Sequence, residues 1–287
     1  MFTQWEKKRF LSLILLGLSA ILIWYLPTSG IQNDSPYLQV HFLDVGQGDA
    51  IFIETPDNVQ VLVDGGPNQR VLQELSGKMN FSDFGLDMVI GTHPDSDHIG
   101  GLVGVLERYQ VDTLLVTDNK GDSQTAALYN KLIAAEGAAI IYARRGQVFS
   151  LGASTTLEVL WPETDTTDME SNASSIVLRI IYGKTSFLLT GDAPKRIEEY
   201  LVLAEGESLQ SDVLKIGHHG SRTSTAQMFL EEVQPEYAVI SAGENNRYGH
   251  PHVEVTDMLF NSRVKTLNTA EEGTITFLSD GEKVWVE

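Results

Sequence analysis

Short apolar runs broken by Gly, Pro, Asn and Asp recur along most of the chain, and their spacing predicts many short strands. Strands are expected over 38–43, 50–54, 59–63, 88–91, 113–116, 176–182, 186–189, 213–216, 237–240 and 274–278. Longer stretches with helical spacing predict helices over 102–109, 123–136, 194–203, 224–233 and 253–261. Interleaved strands and helices of this kind predict an α/β fold in which sheets are sandwiched by helices. No linker, repeat or charge run interrupts the pattern, so residues 31–287 are expected to be one domain.

The first 30 residues read differently. Glu6, Lys7, Lys8 and Arg9 precede an unbroken apolar run over 10–26 that closes on Trp24 and Tyr25 before Pro27. A cleaved signal peptide has an apolar region of about 7–15 residues, whereas a membrane span needs about 20. The run is longer than the first and slightly short of the second, and its terminal aromatics suit a membrane interface. A single-pass anchor in the cell membrane is therefore expected, with the basic end in the cytoplasm and everything after residue 30 extracellular. If the segment is cleaved, the rest of the chain is secreted.

Composition narrows the chemistry. The 287 residues include no Cys, which removes thiolate nucleophiles and leaves His, Asp and Glu as metal ligands. With 20 Lys+Arg against 39 Asp+Glu, the net charge is -19, and the chain without its basic tip is more acidic still. That balance argues against a broad basic face for coating nucleic acid. It does not exclude a phosphodiester substrate, because bound cations supply positive charge locally.

Six of the seven His fall in three short clusters, each just after a predicted strand, where open sheets put their sites. The first cluster, His93-Pro94-Asp95-Ser96-Asp97-His98-Ile99-Gly100-Gly101, has four metal-ligand side chains in six residues. Helix capping explains one such residue and not four. In a strand-to-helix loop, His93 and Asp95 can serve one ion while Asp97 and His98 serve another, and Gly100 and Gly101 are expected to let the backbone pass close before the helix begins. The strand over 186–189 delivers Asp192, which can bridge two ions. His218 and His219 follow another strand; adjacent residues of an extended segment point opposite ways, so one of the two is expected to face the centre as a proton donor. His250 is a third-cluster candidate, whereas His252 and His41 read better as structural. Lys215, Ser221, Asn246 and Tyr248 lie in the same loops and are expected to hold substrate. The turns at Asp44–Asp49 and Asp64–Gly66 read as architectural, with Asp64 a candidate to orient a ligand.

These motifs resemble the metallo-β-lactamase superfamily, over essentially residues 37–287. The segment from His41 to Ala50, the cluster beginning at His93, Leu188-Leu189-Thr190-Gly191-Asp192 and Lys215-Ile216-Gly217-His218-His219-Gly220-Ser221 look like the extracellular hydrolase domain of ComEC-type competence proteins. The resemblance implies a metallo-β-lactamase αββα sandwich and one or two divalent ions, zinc or manganese. It implies His93 and Asp95 at one ion, Asp97, His98 and His250 at the other, and Asp192 between them. Asp97 would also orient the attacking water, with His218 or His219 the proton donor. Asn172 occupies roughly the position of the family's middle His, and Asp95 replaces another His; oxygen in place of imidazole shifts preference from zinc towards manganese. The implied activity is a phosphodiesterase or nuclease acting on DNA, single-stranded DNA among its substrates, with competence or envelope proteins as partners. The alternatives are a choline-phosphate or teichoic-acid phosphodiesterase of the cell envelope and a metal-poor binding domain.

Overall fold

The computed structural model describes residues 35–287. In chain order its strands are β1 (Leu38–Phe42), β2 (Ile51–Glu54), β3 (Gln60–Val63), β4 (Gly85–Gly91), β5 (Gln110–Val116), β6 (Ala139–Tyr142), β7 (Val148–Ser150), β8 (Thr155–Trp161), β9 (Val177–Tyr182), β10 (Thr185–Leu189), β11 (Val213–Lys215), β12 (Tyr237–Ile240), β13 (Lys265–Asn268), β14 (Ile275–Ser279) and β15 (Val284–Val286). The helices are α1 (Arg70–Lys78), α2 (Ser96–Arg108), α3 (Gln124–Glu136), α4 (Lys195–Glu205), α5 (Gln227–Val233), α6 (Val253–Asn261) and α7 (Thr269–Glu272). One sheet has eight strands in the order β15-β14-β1-β2-β3-β4-β5-β6, and the other has seven in the order β13-β12-β11-β10-β9-β8-β7.

The central strands read as continuous apolar runs because both of their faces are buried. In β2, Ile51 and Ile53 join the core between the sheets, while Phe52 between them packs into a second core with Val71, Leu75, Leu102 and Val105 of α1 and α2. In β10, Phe187 and Leu189 face the other sheet, and Leu188 packs with Leu201, Phe229 and Leu259 of α4, α5 and α6. Three apolar seams therefore separate four layers, helix, sheet, sheet, helix.

β3, β4 and β5 run parallel in the first sheet, as do β10, β11 and β12 in the second. The loops at their carboxyl ends carry Asp64, the His93 cluster, Asp192 and the His218-His219 pair. All ten expected strands have counterparts, whereas β6, β7, β8, β13, β15, α1 and α7 were not anticipated. The membrane segment expected over residues 1–30 lies outside the described residues. No helix among the described residues is long and apolar enough to cross a membrane.

One helix differs from expectation in a way that bears on the site. α2 begins at Ser96, so Gly100 and Gly101 lie inside it. What they approach is the loop after β3. A Cβ on Gly101 would sit 2.0 Å from the Gly65 carbonyl oxygen, and one on Gly100 would sit 2.4 Å from that of Pro67. Gly65 N–H donates to His98 O at 2.7 Å and Gly101 N–H to Gly66 O at 2.8 Å, which locks the two ligand-bearing loops together.

On the other side of the site, buried Glu198 of α4 accepts from the Thr225 and Ala226 amides at 2.8 and 2.7 Å. It ties the loop after the His pair to α4. Burial outweighs those two hydrogen bonds and raises the Glu198 pKa to about 7.

Two stability measurements follow. Gly101→Ala should destabilise the fold by about 1–3 kcal/mol in chemical denaturation through overpacking. Gly77→Ala, where a Cβ meets nothing within 4 Å, should stabilise α1 by up to about 1 kcal/mol. For Glu198, a pKa raised above the unfolded 4.5 means that the folded chain binds the proton more tightly. Stability from this group is complete below about pH 4.5 and declines as pH rises to about 7, by at most about 3 kcal/mol. The difference in stability between wild type and Glu198→Gln should change by that amount across this window; a flat difference would refute the assignment.

Candidate metal centre

The β4–α2 loop turns His93 and His98 inward until both are fully buried, with ring centroids 4.1 Å apart. Asp95 is the N-cap residue of α2, yet its side chain caps nothing. It accepts instead from Ser171 Oγ at 2.5 Å, which holds the carboxylate beside the centre, 3.8 Å from His93 Nε2. Asp97 reaches 3.5 Å from His219 Nε2. Asp192, 2 % exposed, lies at the middle: its oxygens are 3.9 Å from His93 Nε2, 3.3 Å from His98 Nε2, 3.5 Å from His218 Nε2 and 3.8 Å from His219 Nε2.

The two ring nitrogens of each buried His have different surroundings. His98 Nδ1 bonds Asp64 Oδ2 at 2.8 Å, His219 Nδ1 lies 2.9 Å from Ser241 O, and His93 Nδ1 lies 3.1 Å from Thr92 Oγ1. Their Nε2 atoms, and Asp192 Oδ1, are buried without a hydrogen-bond partner. Engagement of Nδ1 fixes the ring and leaves Nε2 as the ligand atom, the arrangement metal-binding His adopt. Ligand atoms of His93, His98 and Asp192 lie within 4.8 Å of one another, as do those of Asp97, His98 and His219, and those of Asp49, Asp192 and His219. Such a donor set, imidazole and carboxylate without thiolate, fits one or two divalent cations.

Charge balance agrees with that fit. Burial opposes a charge on His98, but the Asp192 and Asp64 carboxylates outweigh it and push its pKa well up. His219 is raised to about 9 against burial by Asp192 and Asp49. His93 is lowered by burial and by the neighbouring His98. Asp97 falls to about 2 despite burial, because His219 and His98 favour its charge. Protons on these imidazoles compensate the carboxylates in the same way that cations would.

Several expected roles change. Lys215, expected at the substrate, is fully buried, with Nζ 3.0 Å from Asp49 Oδ2 and donating to Ile216 O; it neutralises a buried carboxylate and cannot reach solvent. Asn246, also expected at the substrate, donates to Gly243 O and His250 O and accepts from the Tyr248 and His250 amides, so its amide is spent on shaping its own loop. Ser221 is buried against Thr223 Oγ1 at 2.9 Å. Tyr248 is 47 % exposed and lines a cavity of about 720 Å³ that opens beside Asp95 and Asp97.

The His218-His219 segment is not extended. Both residues have left-handed backbone (φ 50° and 55°), which swings both rings towards Asp192 instead of to opposite sides. His218 alone of the pair is part exposed, at 25 %. Its Nδ1 lies 3.1 Å from Thr223 Oγ1 and 3.4 Å from the Asn172 amide nitrogen, so Asn172 contacts an imidazole. His250 stands in none of the ligand groups among the described residues, although its Nδ1 is buried without a partner and its ring is 5.5 Å from that of His218. Burial and the neighbouring His lower its pKa to about 4.

Sequence reasoning did not single out Asp49, Ser241, Thr92, Ser171 or Thr223. Asp49 carries a signal in the sequence, a carboxylate inside a tight Gly-rich turn.

The metallo-β-lactamase superfamily matches residues 43–244. The chain belongs to that superfamily, whose members are generally metal-dependent hydrolases. It is 34 % identical to ComE operon protein 3 of Bacillus subtilis over 256 residues, 83 % of this chain and 33 % of that protein. It is 31 % identical to competence protein ComA of Neisseria gonorrhoeae over 91 % of this chain and 34 % of ComA. The chain thus spans about a third of the length of these relatives. Among solved structures, the fold matches YhfI of Bacillus subtilis (TM-score 0.52, 15 % identity, 80 % of this chain and 95 % of YhfI). It also matches zinc-bound PqqB of Methylobacterium extorquens (TM-score 0.52, 13 % identity, 80 % and 87 %).

Protein incubated with manganese or zinc and then desalted should retain at least one ion per chain by mass spectrometry. Asp192→Ala should lose retained metal, and Asp64→Asn should weaken affinity about 10–100-fold by releasing the His98 ring. Full retention in Asp192→Ala would contradict the centre drawn here.

Proposed function

We infer that this chain is a metal-dependent phosphodiesterase that cleaves DNA strands outside the cell in a competence-like role, tethered to the membrane through residues 1–30. The observation that carries the reading is the convergence of three buried, unpartnered His Nε2 atoms on Asp192 beside an open, polar cavity. The names of the competence relatives support DNA as the substrate class. Oxygen ligands, Asp95 above all, favour manganese over zinc.

When bound, one or two divalent cations neutralise phosphoryl charge and bring the pKa of water towards 7. The chain's own groups do the rest. Asp97, 30 % exposed at the cavity, accepts from and orients the attacking water. His218, the exposed member of the pair, faces Asn172 and Thr223 with Nδ1 and presents Nε2 to the reacting phosphate, where it hands a proton to the leaving oxygen. His219, fully enclosed between Ser241 and Asp97, has no path to a leaving group and serves the centre.

Full-length protein loaded with manganese should cleave a single-stranded oligonucleotide and bis(nitrophenyl) phosphate. His218→Ala should lower kcat on DNA by about 10²–10⁴. It should affect the reporter far less, since nitrophenolate departs without a proton. Reporter cleavage without DNA cleavage would transfer the assignment to a small phosphodiester of the envelope, and inactivity on both would sink the phosphodiesterase reading.

A further inference from the structure

Among the described residues, the cations that line the cavity beside the centre are Lys120 and Arg247, in a chain with 20 Lys+Arg against 39 Asp+Glu. They come from different layers: Lys120 follows β5 of the first sheet, and Arg247 lies in the loop after β12 of the second. Neither has a carboxylate within ion-pair distance among the described residues, unlike Arg70, Arg144, Arg145, Lys184, Arg196 and Lys265.

Each is held by a tyrosine instead. Lys120 Nζ sits 4.9 Å over the Tyr142 ring, and Arg247 Cζ sits 4.8 Å over the Tyr248 ring. Arg247 Nη2 donates to Tyr248 Oη at 2.5 Å, and Tyr248 stacks on His250 with ring centroids 5.6 Å apart. An aromatic support orients a cation without neutralising it. The remaining charges on the lining are Asp95, Asp97 and Asp122; Asp97 stands in a ligand group and Asp95 lies 3.8 Å from His93 Nε2, so bound cations would offset both. Against Asp122 that leaves two aromatic-supported positive charges with no ion-pair partner among the described residues, in a polar groove of about 720 Å³, larger than one phosphodiester needs.

Resting on the phosphodiesterase reading, we propose that Lys120 and Arg247 are a strand-holding pair, which binds the phosphates flanking the reacting one and so selects an extended polyphosphodiester over a small ester. Both cations stand in the groove where a strand must lie, in a chain that is acidic as a whole, with 20 Lys+Arg against 39 Asp+Glu. Phosphate contacts position a strand without reading its sequence, so the selection is for length and not for base.

The test measures binding and turnover separately, on full-length, manganese-loaded protein. Binding of a labelled, hydrolysis-resistant phosphorothioate single strand is followed by anisotropy across salt concentrations, for wild type, Lys120→Ala/Arg247→Ala and Lys120→Arg/Arg247→Lys. The alanine pair should weaken binding about 10-fold or more and flatten the slope of log Kd against log salt by about 1.4, two contacts at about 0.7 each. The charge-conserving pair should keep most of the slope. The ratio of kcat/KM on the oligonucleotide to kcat/KM on bis(nitrophenyl) phosphate should fall at least about tenfold in the alanine pair, for the same reason. An unchanged slope, or an equal loss on both substrates, overturns the proposal. If wild type turns over neither substrate, the phosphodiesterase reading has failed and the salt slope alone still decides for or against the strand-holding pair.

Discussion

A carboxylate that is almost fully buried and has no cation of its own sets the terms for the rest of this structure. Asp192, in the loop after β10, has 2 % exposure and is surrounded by the Nε2 atoms of four histidines, one of which, His98, comes within 3.3 Å. An isolated charge in such a place costs far more than folding supplies, so it must be paired, protonated or bound to metal. Burial alone would raise its pKa, yet His98, His219 and His93 hold it well below the usual range. The fold therefore concentrates positive charge at this point, on protonated imidazoles or on cations that replace their protons.

The surrounding residues keep that arrangement from collapsing. Asp49 is a second buried carboxylate, but it has a buried partner in Lys215, 3.0 Å away, and so stays ionised without a cation. Asp64 is a third. It accepts from the Thr92 amide and hydroxyl and from His98 Nδ1, all at 2.7–2.8 Å, which satisfies it and aims His98 Nε2 at Asp192. Glycines at 65 and 101 let the Asp64 loop and α2 approach closely enough for this to happen. Left-handed backbone at His218 and His219 brings two adjacent rings to one centre, a conformation that non-glycine residues keep only where their surroundings enforce it. Three sets of loops, from both sheets, thus converge on a point that neither sheet completes alone.

The acidity of the chain and its proposed substrate fit together on the same grounds. A net acidic chain disfavours nucleic acid except where local charge is reversed. The centre and the two tyrosine-supported cations beside it lie on one groove, so attraction and chemistry coincide. Tyr248 connects the two, since its ring touches both Arg247 and His250.

Much of the fold was legible in the sequence because its central strands are buried on both faces. Their continuous apolar runs, as at Ile51–Glu54 and Thr185–Leu189, announce themselves without neighbours. Edge strands such as Lys265–Asn268 are half solvated and polar, so nothing local distinguishes them from loop. Candidate ligands stood out too, as four side chains of metal-ligand type in six residues; three of them, His93, Asp97 and His98, stand in ligand groups among the described residues. What only tertiary structure decided was which polar residues are spent inside the protein. Lys215 and Asn246 look like substrate contacts in sequence, and only the Asp49 carboxylate and the loop carbonyls brought against them remove them from that role. Burial and hydrogen-bond pairing depend on residues far apart in the chain, and a sequence read residue by residue contains no distances.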